Sequence, residues 1–110
     1  MSEYELDIKE AIRTILLTNR GERMMRPDFG ASLVDFLFEP ISSSTMELLR
    51  TRVTEALIDW EPRIDIESVT VTVDDSEPNK LLIGMKYWVR TTNTLANLVY
   101  PFYLQEGSAR

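Results

Sequence analysis

The chain has 110 residues, is 44% hydrophobic and 27% charged, and carries a formal net charge of −6. That length fits one domain, residues 1–110, around one core, and the acid excess argues against sequence-independent binding to a phosphate backbone. The absence of both Cys and His excludes disulfides, thiolate nucleophiles, Ser-His-Asp machinery and imidazole or thiolate metal sites, leaving carboxylates, Lys, Tyr and Ser for any chemistry.

From the N-terminus, Met-Ser-Glu-Tyr-Glu lacks the basic and apolar regions of a signal peptide. No apolar run approaches the ~20 residues that a membrane span requires, so the expected compartment is the cytoplasm. Ile8, Ala11, Ile12 and Ile15 recur at i, i+3, i+4 and i+7, which predicts an amphipathic helix over 4–18. Residues 19–30 hold two Gly and one Pro without periodicity and read as an ordered loop. A short helix is expected from Ser32 to Phe38, closed by Glu39-Pro40.

A third helix follows. Ser44 and Glu47 have the spacing of a capping box, and Leu49, Val53, Ala56, Leu57 and Trp60 continue as a helical stripe up to Pro62. Beyond residue 61 the period becomes two. Ile64 and Ile66 alternate with polar residues, as do Val69, Val71 and Val73, and the change of parity predicts a bulge at Glu67-Ser68. Asp74 to Asn79 is a turn cluster. Leu81, Ile83, Met85, Tyr87 and Val89 form a second alternating strand, Thr91 to Thr94 a turn, and Leu98, Tyr100, Phe102 and Leu104 a third strand before a frayed tail, Glu106 to Arg110. The expected fold class is α+β: about three N-terminal helices packed on a C-terminal three-stranded antiparallel meander.

Pro101 lacks the N–H that a central strand needs, so the last strand is expected at an edge or with a local break. Such an edge is either an ordinary one blunted by proline or a template for a strand from another chain. Glu61-Pro62-Arg63 stands where helix becomes strand, and proline fixes the directions of the flanking acid and base. It reads either as an internal ion pair or as a docking element. Arg20, Arg23 and Arg26, with Gly21 and Glu22, make the basic cluster of an acidic chain. They either face an acidic partner or pair across the loop with Glu22, Asp28, Glu39 or Glu61. Glu22, Glu39 and Glu61 are the candidates for a glycosidase-type carboxylate pair. Each has Arg or Pro nearby in sequence, which favours ionised, paired carboxylates over a protonated general acid.

Thr18-x-x-Gly21-Glu22-Arg23, Pro27-x-Phe29-Gly30, Leu37-Phe38-Glu39-Pro40, Trp60-Glu61-Pro62-Arg63 and Asn97-Leu98-Val99-Tyr100-Pro101-Phe102 occur in that order. Together they resemble the W-like baseplate wedge family of contractile phage tails, often labelled lysozyme-like. Its relatives occur in R-type pyocins, extracellular contractile injection systems and the type six secretion baseplate. The resemblance implies a structural virion component rather than an enzyme, assembled in the bacterial cytoplasm and then held in the tail baseplate. It also implies contact with the wedge core bundle and initiation of the contractile sheath. The family's Glu-Pro-Arg motif, associated with the bundle, falls on Glu61, Pro62 and Arg63. The strand-exchanging role falls on the edge Leu98, Val99, Tyr100, Pro101 and Phe102. Partner contacts are expected at those residues and at Arg20, Gly21, Glu22, Arg23 and Arg26. Neither cofactor, metal, nucleic acid, membrane nor small-molecule substrate is expected. The alternative function is a peptidoglycan-hydrolysing enzyme that uses a carboxylate pair.

Overall fold

A computed structural model describes residues 2–21 and 28–105. Helix α1 spans Glu3–Leu17 and starts with a capping box that the periodicity does not announce. The Ser2 hydroxyl accepts from the Glu5 N–H at 3.1 Å, and the Ser2 N–H donates to the Glu5 carboxylate at 3.3 Å, so free donors of the first turn are satisfied reciprocally. Ile8, Ile12, Ile15 and Leu16 are buried along the inner face, and so is Lys9.

The chain returns to the end of this helix after the loop. Ala31 N–H donates to the Ile15 carbonyl at 3.0 Å and Ser32 N–H to the Thr18 carbonyl at 3.2 Å. These bonds use carbonyls that a helix C-terminus leaves free. Gly30 makes the approach possible: its φ is +106°, and a Cβ there would collide with the Thr18 carbonyl. The loop is therefore pinned at both ends.

The expected helix at 32–38 is only a single 3-10 turn, Leu33–Phe36, so the protein has two α-helices among its described residues, not three. Ser32 sits in the left-handed region at φ 53° and makes no side-chain cap. Pro40 lies a few residues on, and the segment is too short to repay the nucleation of an α-helix.

Helix α2 spans Ser43–Trp60. Its cap is Ser42, whose hydroxyl accepts from the Thr45 N–H at 3.1 Å, and not Ser44, which lies within the helix. Ser42, Ser43, Ser44 and Thr45 all have capping chemistry, and spacing alone selected the wrong one. Glu47 pairs instead with Arg50 one turn on.

Strands β1 (Ile64–Val73), β2 (Lys80–Val89) and β3 (Thr94–Tyr103) form one antiparallel sheet in the order β1-β2-β3. The register shifts between Ile66 and Ser68, which leaves Glu67 as the extra residue of the expected bulge. Strand β3 starts earlier than the hydrophobic pattern implied, because Thr94, Leu95 and Ala96 pair with Val89, Trp88 and Tyr87. Leu81, Ile83, Met85, Tyr87 and Val89 of the central strand are all buried against the helices, together with Leu49, Val53, Ala56 and Leu57 of α2. Side chains of this kind stabilise the fold by about 1.5–3 kcal/mol each when fully buried. No helix among the described residues is long and apolar enough to cross a membrane.

Candidate functional site: a locked junction and an open edge

The junction from α2 to β1 is held by one guanidinium. Glu61 is the C-cap residue of α2 and is buried, and its N–H donates to the Leu57 carbonyl at 2.9 Å. Arg63 Nε donates to Glu61 Oε1 at 2.8 Å and Arg63 Nη2 to Glu61 Oε2 at 2.7 Å, a two-pronged contact that fixes both planes. The Arg63 backbone N–H adds a bond to Glu61 Oε1 at 3.2 Å. On its far side Arg63 Nη1 donates to Asp7 of α1 at 2.9 Å, and the Tyr4 ring lies 5.8 Å from the guanidinium carbon.

Hydrogen bonds donated to Glu61 first, and to Asp7 second, raise the Arg63 pKa above its already high ordinary value. The group is therefore a permanent cation that ties α1, α2 and β1 together. The internal ion pair expected of Glu61-Pro62-Arg63 is present. Pro62 is exposed, and the Arg63 side chain retains 32% of its accessibility, so one face of the junction still meets solvent.

Both oxygens of the Glu61 carboxylate accept hydrogen bonds from the Arg63 guanidinium. Glu39 lies exposed beyond the 3-10 turn. Glu22, Arg23 and Arg26 lie outside the described residues, as does the tail Glu106 to Arg110. Arg20 and Gly21 are exposed at the start of the loop, with Gly21 at φ +93°. No group of three or more acidic, His or Cys side chains among the described residues could hold a metal ion.

The second region is the outer edge of β3. Three bonds at the ends of the strands set the alternation of the backbone: Arg90 N–H to Arg63 O, Asp74 N–H to Lys80 O, and Leu104 N–H to Asn79 O. Successive residues of a strand point their backbone groups to opposite sides. Ala96, Leu98, Tyr100 and Phe102 therefore bond inward to β2, while Leu95, Asn97, Val99, Pro101 and Tyr103 point outward. Pro101 falls on the outward side, so its missing N–H costs the sheet no bond, which is why a proline fits here.

The strand thus divides the five residues expected at the edge. Leu98 and Phe102 are buried in the core and Tyr100 is half-buried, whereas Val99 and Pro101 face outward. Val99 (56% exposed), Leu95 (46%) and Tyr103 (49%) leave apolar surface beside this edge.

Sequence reasoning missed three residues. Asp7 and Tyr4 complete the junction from a distant helix, and no local spacing joins them to Arg63. Lys9 is different. It lies on one helical face with Ile12 and Leu16, so the pattern itself places a cation on the buried stripe. Its ammonium donates to the Asn97 carbonyl at 2.6 Å.

The model of the family "Baseplate wedge protein gp25" matches residues 2–94, and the chain belongs to that family. It is 36% identical over 64 residues to the baseplate wedge protein gp25 of Enterobacteria phage T4, a stretch covering 58% of this chain and 48% of that protein. It is 33% identical over 63 residues to baseplate protein W of Escherichia phage P2, covering 57% of this chain and 55% of that one. The matches thus span about half the length of these curated relatives. A solved chain from Geobacter sulfurreducens, described as a candidate tail lysozyme, shares 53% identity and a TM-score of 0.86, covering 96% of both chains. A chain of the baseplate complex from the type VI secretion system has the same fold, with a TM-score of 0.71 at 21% identity over 94% of this chain and 95% of that one.

Proposed function

We propose that this chain is a structural wedge component of the baseplate of a contractile tail or injection machine. In this reading the Glu61-Pro62-Arg63 junction and the Arg20 to Arg26 loop dock to the wedge core bundle, and the outer edge of β3 starts the sheath by accepting a strand. The family match supports the baseplate role. The observation that carries the mechanism is the β3 edge, a row of outward backbone groups with apolar side chains beside it.

The physical logic separates the two tasks. A docking element must hold its shape before the partner arrives, since ordering side chains on binding costs about 0.5–1.5 kcal/mol each. Arg63 meets this requirement because Glu61 and Asp7 already fix its fork. A strand acceptor has the opposite need: its donors and acceptors must be available, and its register must be set by neighbours that do not move. Strand β3 is anchored along its inner side by pairing with β2 from Val89–Thr94 to Lys80–Tyr103. Neither task requires bond-breaking chemistry.

The docking role is tested with Arg63→Ala. This variant leaves the buried Glu61 carboxylate without its cation, so circular dichroism first checks that it folds, and Arg63→Lys, which keeps a charge there, serves as a second variant. Incorporation into baseplates, followed by pull-down of the assembled wedge, should fall at least about tenfold, the scale of losing one charge-assisted contact. Normal incorporation of a folded Arg63→Ala chain would contradict the role.

A further inference from the structure

Strand β3 carries a buried cation at its midpoint. Lys9 is only 9% exposed, yet its side chain crosses from α1 to the sheet edge. Its Nζ lies 2.6 Å from the Asn97 carbonyl and 5.7 Å from the centre of the Tyr87 ring. An ammonium has three donors. Among the described residues one donor is used by a carbonyl, and the ring supplies a diffuse π face rather than a second acceptor.

Asn97 points its backbone outward, so this carbonyl belongs to the row that an added strand would use. A carbonyl oxygen has two lone pairs, and Lys9 can therefore stay in place while an incoming N–H takes the second. The ammonium would then lie between β3 and its new neighbour, on the helix side of the sheet, with donors aimed at whatever side chain arrives there. Burial, followed by the nearby Arg13, holds the Lys9 pKa below its ordinary value, with Glu5 opposing. A cation in that position gains most from an anion that completes its shell.

We infer that Lys9 selects the strand that adds to β3: the preferred partner carries a carboxylate on its helix-side face, next to Ala96–Leu98. The inference rests on the reading of β3 as a strand acceptor. It adds what the edge alone does not supply, a preference among strands. An all-apolar strand would bury the ammonium with its shell incomplete, and a basic one would place like charges together. A second copy of β3 from this chain would bring its own Lys9, so the same residue disfavours self-pairing of the edge, a standard hazard of open strands.

The test uses two ten-residue threonine–valine alternating segments, each fused to the flexible C-terminus of a monomeric carrier. They are identical except for one central helix-side residue, Glu in one and Gln in the other. Binding to the full chain is measured by anisotropy, and amide exchange at Leu95, Asn97 and Val99 reports the site. The Glu segment should bind at least about tenfold more tightly than the Gln segment, with protection of those amides. In Lys9→Met the two affinities should converge within about twofold, and Lys9→Arg should restore the preference. Equal affinities for the original chain, or a preference that survives Lys9→Met, would overturn the inference while leaving the edge as an acceptor. Failure of both segments to bind or protect β3 would overturn the acceptor reading and this inference with it.

Discussion

The α2–β1 junction and the β3 edge solve opposite problems with the same hydrogen-bonding groups. At the junction, Arg63 directs its fork at Glu61 and its remaining amino group at Asp7. Along β3, the outward groups of Leu95, Val99 and Tyr103 have no backbone partner among the described residues, and Asn97 is met only by Lys9. One region spends its bonding capacity inside the molecule and becomes rigid. The other is rigid on one side and, among the described residues, leaves most of its outward backbone groups unspent. Rigidity and availability are thus separated in space, and substitutions should separate them too.

The largest effects belong to the locked side. Gly30→Ala forces a Cβ into the Thr18 carbonyl at a φ of +106°, and it should lower unfolding stability by about 3 kcal/mol in urea titration. Little or no loss would mean that the return of the chain onto α1 is not fixed. Glu61→Ala comes next. It removes both contacts to the Arg63 fork and leaves a partly buried cation with Asp7 alone. About 2 kcal/mol should be lost, less than for a fully buried pair because Arg63 retains 32% side-chain exposure.

Smaller effects test the open side. Val99→Pro removes an outward N–H and no bond to β2, so the isolated chain should lose no more than about 1 kcal/mol. A far larger loss would show that this N–H serves the fold rather than a partner. The β1–β2 turn provides the mildest change. Hydrogen bonds from the Ser76 N–H and hydroxyl, with Lys80 adding to them, hold the Asp74 pKa below its ordinary value. A carboxylate depressed in the folded state contributes stability above its unfolded pKa and loses it as pH falls below about 4. Asp74→Asn should therefore flatten the acid limb of the urea midpoint between about pH 4 and 2, by slightly lowering the midpoint at pH 7 while leaving the acid end unchanged. An unchanged acid limb would remove the turn from the account.

Much of the sheet was legible in the sequence because each strand states its faces in alternation. The bulge at Glu67, the position of β2 and the edge placement of Pro101 all follow from parity or from a missing N–H. Helix ends were less legible. Four successive hydroxyl residues offered themselves as the α2 cap, and which one is used depends on where the chain leaves Pro40. The segment after Ser32 had helical composition but only enough length for one 3-10 turn. The site was legible in half. Glu61-Pro62-Arg63 marks itself by proline between opposite charges, but its partner Asp7 lies 56 positions from Arg63 in the chain. The outward parity of Val99 against the inward parity of Leu98 required the ends of the ladder to be known.

The central claim is that the outward N–H groups of β3 start the sheath. It is tested most directly by electron microscopy of baseplates assembled with Val99→Pro, supplied with sheath subunits. The account predicts that such baseplates incorporate the variant at normal occupancy and remain without sheath, while those with the unaltered chain grow it. Sheaths of normal frequency and length on Val99→Pro baseplates would contradict it.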